Sequence, residues 1–128
     1  MDVKVVDASA IAAVLFGEPE ADAVVKRLAG VRLAAPTLLR YEVASIAWKK
    51  IKRNPVQRGE LMAAFALLDR MALTITDVEH AEVLRLADAT GLTTYDASYL
   101  WLARKLNAGL ITLDRRLDAV ASAANDTP

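Results

Sequence analysis

The sequence contains no cysteine, few aromatic residues and no excess of either charge. Without thiols, neither disulfides nor thiolate metal sites can form, so oxygen ligands or His80, the single histidine, would have to hold any metal ion. A lone histidine does not favour a zinc site. The 16 basic and 16 acidic residues give a formal net charge of zero, so composition alone indicates no polyanionic partner.

Long apolar runs are also missing. No stretch approaches the length of a membrane-spanning helix, and the N-terminus lacks the basic and apolar regions of a signal peptide. We therefore expect a cytoplasmic protein that makes no use of a membrane, which also suits a chain without cysteine. The length of 128 residues predicts one domain over residues 1–128, with a weakly structured tail over about 118–128.

Short apolar runs alternate with helical patterns along the chain. Strands are predicted at residues 3–6, 31–34, 73–76 and 110–113, each followed by a segment with helical spacing of its apolar residues. We expect Thr37 to cap the helix after the second strand and Asp77 to cap the helix after the third. This alternation predicts an α/β fold in which helices cover both faces of a parallel sheet.

Two acids follow directly on predicted strands, Asp7 on the first and Asp114 on the fourth. In sheets of this kind, ligands bind at the carboxyl ends of the strands, near a topological switch point. Taken alone, either residue is better explained as the cap of the following helix, and the same holds for Asp96. Glu42 lies on a predicted helix beside apolar neighbours, where a carboxylate is costly unless it is paired or exposed.

The four acids together indicate a specific chemistry. If the sheet brings Asp7, Glu42, Asp96 and Asp114 into one cleft, they repel one another unless divalent cations neutralise them. Ligation by oxygen alone selects hard ions such as Mg²⁺ or Mn²⁺. Such ions activate water and stabilise the leaving oxygen of a phosphodiester. The set therefore predicts phosphodiester hydrolysis with two or fewer metal ions.

Four segments resemble the signature segments of PIN domains in order and spacing. They are VVDASA with Asp7, PTLLRYEV with Glu42, TYDASYLWLA with Asp96, and ITLDRRL with Asp114. The resemblance spans residues 3 to about 117, and the compact length is similar to that of VapC-like toxins of type II toxin–antitoxin systems. It implies a three-layer α/β/α sandwich around a four- or five-stranded parallel sheet. The fifth strand is in doubt because residues 119–128 lack an apolar β-branched run.

The resemblance also implies roles for individual residues. The four acids would be the catalytic and metal-binding groups of a Mg²⁺- or Mn²⁺-dependent endoribonuclease, with Ser9 and Thr112 as supporting hydroxyls. The phosphates of an RNA substrate would be bound by arginines near the cleft, which are Arg115, Arg116 and Arg40. A homodimer and inhibition by a cognate antitoxin protein are further implications.

Three other functions have weaker support. A nucleotide-binding domain should carry a glycine-rich loop after the first strand, where this chain has none. A phosphotransfer enzyme of the haloacid-dehalogenase type carries a second aspartate at the position of Ser9. A catalytically silent interaction module with a PIN fold would be favoured if one of the four acids were missing, and all four are present.

Overall fold

The computed structural model describes residues 2–125. Within them, four strands form a single parallel sheet: β1 (Val3–Val6), β2 (Arg32–Pro36), β3 (Leu73–Thr76) and β4 (Gly109–Ile111). The same range contains seven α-helices: α1 (Ala8–Leu15), α2 (Ala21–Leu28), α3 (Leu39–Arg53), α4 (Arg58–Ala66), α5 (His80–Thr90), α6 (Thr94–Lys105) and α7 (Arg115–Asn125). Short 3-10 turns, Pro55–Gln57 and Leu67–Arg70, flank α4. The predicted three-layer α/β/α sandwich is confirmed, with four strands.

Strand β1 is one of the two interior strands of the sheet, and the core forms around it. Val5 and Val6 are fully buried, as expected for a β-branched strand covered on both faces. The alanine-rich helix α1 follows at once and buries Ala10, Ile11 and Ala13. Helix α6 contacts β1, β2 and β4, while α1 contacts α2 and α3. None of the helices described is both long and apolar enough to cross a membrane.

The strand order β3-β2-β1-β4 places a topological switch point between β1 and β4. The chain runs outward from β1 through β2 to β3, and then returns to add β4 on the other side of β1. Val6 is paired with Ile111, and the Asp7 amide donates to the Ile111 carbonyl at 3.1 Å. The residues that follow the two strands, Asp7 and Thr112, therefore lie side by side at the edge where ligands of such sheets bind.

Two predicted helix caps are wrong. Thr37 is exposed in the turn before α3, and Leu38 occupies the cap position without a side-chain hydrogen bond. Helix α5 begins at His80, so Asp77 lies two residues before the cap position. Glu79 caps it instead, accepting from the amides of Ala81 and Glu82.

The C-terminal segment differs from the expectation of a weakly structured tail. Helix α7 covers Arg115–Asn125, and residues 126–128 of the expected tail lie outside the described residues. Leu117 and Ala121 are buried, and Val120 packs against the core. Their spacing is that of one helical face, which explains why an alanine-rich segment docks instead of fraying.

Leu117 tests the docking of α7. It is 0% exposed, so Leu117→Ala should lower the free energy of unfolding by about 2–5 kcal/mol through lost contacts and a residual cavity. The matched control is Leu84→Ala on α5, where the side chain is 62% exposed and a change within about 0.5 kcal/mol is expected. Urea unfolding should show one cooperative transition, as proposed for a single domain. Equal stability of the two variants would contradict the packing of α7.

Candidate functional site

Asp7 lies at the switch point and is 4% exposed. Its Oδ1 accepts from the Ser9 hydroxyl at 2.7 Å and from the Ala10 amide at 3.0 Å, so the residue also caps α1. Its Oδ2 accepts from the Thr112 hydroxyl. Burial raises the pKa of the Asp7 carboxyl, these hydrogen bonds oppose the rise, and the charge of Asp114 adds to it.

The two predicted supporting hydroxyls join the loops that carry the acids. Ser9 Oγ accepts from the Leu113 amide at 2.9 Å, and Thr112 Oγ1 accepts from the Asp114 amide at 2.9 Å. Both hydroxyls therefore contact Asp7 and also fix the backbone that leads from β4 into α7. Asp114, which is exposed, caps that helix by accepting from the Leu117 amide at 2.8 Å.

Glu42 is half-buried on the first turn of α3 and is held by Tyr99 of α6, whose hydroxyl donates to Glu42 Oε1 at 2.6 Å. Burial raises the pKa of Glu42, the Tyr99 bond opposes this, and the charges of Asp96 and Asp7 add to the rise. Sequence reasoning missed Tyr99. Its spacing of three residues from Asp96, on the same helix face, is the signal that could have found it.

Asp96 lies in the first turn of α6, where Thr93 is the cap and accepts from the Asp96 amide at 3.0 Å. Because Thr93 is the cap, capping does not explain Asp96. Burial raises the pKa of its carboxyl, the charges of Asp114 and Asp7 raise it further, and Arg116 acts in the opposite direction. The four predicted acids are thus close enough to influence one another's ionisation.

The donor set suits a hard divalent cation. Four carboxylates and two hydroxyls line this edge, and oxygen ligands of this kind are those that Mg²⁺ and Mn²⁺ prefer. Within residues 2–125, however, no three acidic or imidazole side chains already converge on one ion position. Rotation of these side chains would therefore have to accompany ion binding.

The three predicted RNA-binding arginines have different surroundings. Arg115 and Arg116 are exposed in the first turn of α7, directly after Asp114. The Arg116 guanidinium lies against Gly91, near the start of α6, where an added Cβ would come within 2.8 Å of it. Arg40 instead forms an ion pair with Asp69 at 2.8 Å, so its charge is partly neutralised.

Comparisons with known proteins agree with this fold. Residues 4–123 match the family model described as the PIN domain. A Pyrobaculum aerophilum protein named Ribonuclease VapC3 is 36% identical over 118 residues, covering 88% of this chain and 90% of its own length. A second relative from that organism, named Exonuclease VapC9, is 34% identical over 95 residues, covering 74% and 71%.

Two solved structures are similar. The crystal structure of PAE2754 from Pyrobaculum aerophilum has a TM-score of 0.75 and 30% identity, covering 92% of this chain and 85% of that one. VapC20 of Mycobacterium tuberculosis, described as a toxin that cleaves the sarcin-ricin loop, has a TM-score of 0.66 at 15% identity, covering 91% and 94%. At that identity the second similarity concerns the fold alone.

The repulsion among the acids predicts that Asp96→Asn stabilises the protein. With the pKa values of Asp7, Glu42 and Asp96 raised, ionised carboxylates reduce folding stability at neutral pH, and removal of one charge relieves this. We expect the melting temperature in EDTA to rise by a few degrees. Glu60→Gln, which removes an exposed acid on α4, is the matched control and should give no gain.

The same shifts predict how stability depends on pH. Between the ordinary pKa values, 3.8 for Asp and 4.5 for Glu, and the raised ones, the folded chain binds more protons than the unfolded chain. The contribution of these groups to stability therefore increases as pH falls from neutral through this window. The increase should be smaller in the Asp96→Asn variant. An unchanged melting temperature and an unchanged pH profile in that variant would contradict the electrostatic coupling.

Proposed function

Because the chain belongs to the PIN-domain family, we propose that it is a Mg²⁺- or Mn²⁺-dependent endoribonuclease that hydrolyses RNA phosphodiester bonds. We also propose that it is the toxin of a VapBC-like toxin–antitoxin pair, acting in the cytoplasm as a homodimer and inhibited by a cognate antitoxin. The names of its relatives, Ribonuclease VapC3 and Exonuclease VapC9, support nuclease chemistry.

The observation that carries this proposal is that the acids at the switch point are close enough for their charges to act on one another. Burial and mutual repulsion raise the pKa values of Asp7, Glu42 and Asp96. Structural capping accounts for Asp7 and Asp114, but it accounts for neither Asp96 nor Glu42. Carboxylates with raised pKa values reduce folding stability when they are ionised. Groups of this kind are found most often at functional sites, where their charge is needed.

In the proposed mechanism, two of the acids are held by neighbouring hydroxyls. Asp7 is held at the site by Ser9 and Thr112, and Glu42 by Tyr99, and ion binding would rotate the carboxylates into their ligating orientations. Asp96 and Asp114 complete the set that would hold the metal. When bound, divalent ions lower the pKa of coordinated water and neutralise charge on the phosphodiester. Arg115 and Arg116 would bind neighbouring phosphates, and Arg40 would do so if its pairing with Asp69 is exchanged.

Cleavage of a circular single-stranded RNA tests the proposal, because a circle has no end for an exonuclease to attack. With Mg²⁺ or Mn²⁺, the purified chain, freed of any copurifying partner, should linearise the circle. EDTA should abolish the cleavage, and Asp96→Asn should reduce it by at least about 100-fold, as expected for loss of a metal-site acid. Glu60→Gln should cleave like the wild type.

Other outcomes of this assay are equally informative. Cleavage of linear RNA alone would indicate an exonuclease, as the name of one relative says of that protein. Cleavage that persists in EDTA and in Asp96→Asn would contradict the proposed site. Loss of all cleavage while the chain still binds Mn²⁺ would favour the catalytically silent interaction module.

The salt dependence of RNA binding tests the arginines. If Arg116 binds a phosphate, Arg116→Gln should weaken binding to single-stranded RNA and reduce the slope of log affinity against log salt by roughly 0.7. Arg53→Gln, at the far end of α3, is the matched control and should leave the slope unchanged. Binding can be measured in EDTA by fluorescence anisotropy. Equal slopes for the wild type and both variants would show that Arg116 does not bind an RNA phosphate.

A further inference from the structure

Two exposed tyrosines lie next to the acid cluster. Tyr41 directly precedes Glu42 on α3, and Tyr95 directly precedes Asp96 on α6. Their exposures are 84% and 62%, in contrast to the buried Tyr99. Rings exposed to this extent contribute little to the core. The position of both rings beside acids of the candidate site points to a role in ligand binding.

The two rings line one cavity. It has a volume of about 330 Å³ and is bounded by Leu38, Tyr41, Glu42, Ser45 and Tyr95. Its size is at the lower end of the range for small-molecule pockets, about 300–1,000 Å³. Since Glu42 belongs to both the cavity and the acid cluster, a group bound here would lie beside the acids of the candidate site. We call this space the tyrosine cavity.

Tyr95 also lines a second cavity of about 300 Å³ on the same side of the molecule. The two cavities share Leu38 and Tyr95, so these residues form the partition between them. The second cavity offers the polar side chains of Thr37, Thr94 and His80. Thr37 directly follows β2, so this cavity too lies at the carboxyl edge of the sheet. Tyr95 therefore borders open space on two sides.

Given the ribonuclease function proposed above, we infer that the tyrosine cavity is a nucleobase subsite and that Tyr95 stacks on the base adjoining the scissile phosphate. Single-stranded RNA exposes unstacked bases, which bind to aromatic faces in a sequence-tolerant way. The proximity of Glu42 favours such a ligand over an apolar protein segment, because Glu42 Oε2, the oxygen that does not bond to Tyr99, and the Ser45 hydroxyl would face apolar side chains. Tyr95 is thus a positioning residue, separate from the acids that carry the chemistry.

Binding of RNA oligonucleotides that contain 2-aminopurine tests this inference. The fluorescence of this base decreases when it stacks, and EDTA prevents metal-dependent cleavage during the measurement. Tyr95→Leu should weaken binding about tenfold, the loss typical of one base–aromatic stack, and should abolish the quenching of the base at one position in the oligonucleotide. Tyr95→Phe keeps the ring and should retain both properties. Trp48→Leu replaces a half-exposed aromatic residue of α3 that lines neither cavity, and it should bind like the wild type.

The readouts separate this inference from the proposed function. Normal binding and quenching by Tyr95→Leu would overturn the subsite and assign the exposed rings to a protein-binding surface. Equal losses in Tyr95→Leu and Trp48→Leu would also overturn it, because the effect would then not depend on the cavity. Quenching that requires Tyr95, combined with an absence of metal-dependent cleavage, would support the subsite while refuting the nuclease function.

Discussion

The buried carboxylate of Asp7 is the constraint on which this edge of the protein depends. It follows the interior strand β1, and the pairing of β1 with β4 puts Thr112 beside it. A buried charge is costly unless hydrogen bonds compensate it. Two hydroxyls and one amide do so here, and the same hydroxyls fix the start of α7. Fold and site are therefore built from the same contacts: removal of Thr112 or Ser9 would disturb both the acid and the connection from β4 to α7.

The acids of the site also lower the folding stability of the protein. Burial and repulsion act together on Asp7, Glu42 and Asp96, whereas the opposing contributions come from individual hydrogen bonds and from Arg116. A protein free of functional demands would gain stability by losing one of these charges. In the proposed enzyme, divalent cations supply the missing positive charge. The exposed rings of Tyr41 and Tyr95 lie next to the acids and, unlike buried aromatic residues, contribute little to the core.

Much of this arrangement could be predicted from the sequence because it depends on local pattern. Residues 3–6 and 73–76 are strands as predicted, and acids after parallel strands share one edge of the sheet. Contacts between distant segments could not be predicted. The Tyr99 hydroxyl donates to Glu42 across 57 positions of the chain, and Arg40 pairs with Asp69 in the 3-10 turn that follows α4.

The two cap predictions are wrong because each helix begins further along the chain than its sequence pattern indicates. Thr37 and Asp77 are suitable residue types, but the cap positions fall one and two residues further along the chain, at Leu38 and Glu79. The tail was misjudged because its apolar residues are few, although Leu117 and Ala121 share one face.

The most direct test of the central claim, that the four acids form a site for divalent cations, is calorimetric titration of the chain with Mn²⁺. The account predicts saturable binding of one or two ions per chain, weakened at least about 10-fold in Asp96→Asn and in Asp114→Asn and unchanged in Glu60→Gln. Binding should also increase the melting temperature of the wild type more than that of either site variant. Mn²⁺ binding with equal affinity in all four proteins, or none in the wild type, would contradict the assignment of these acids to a metal site.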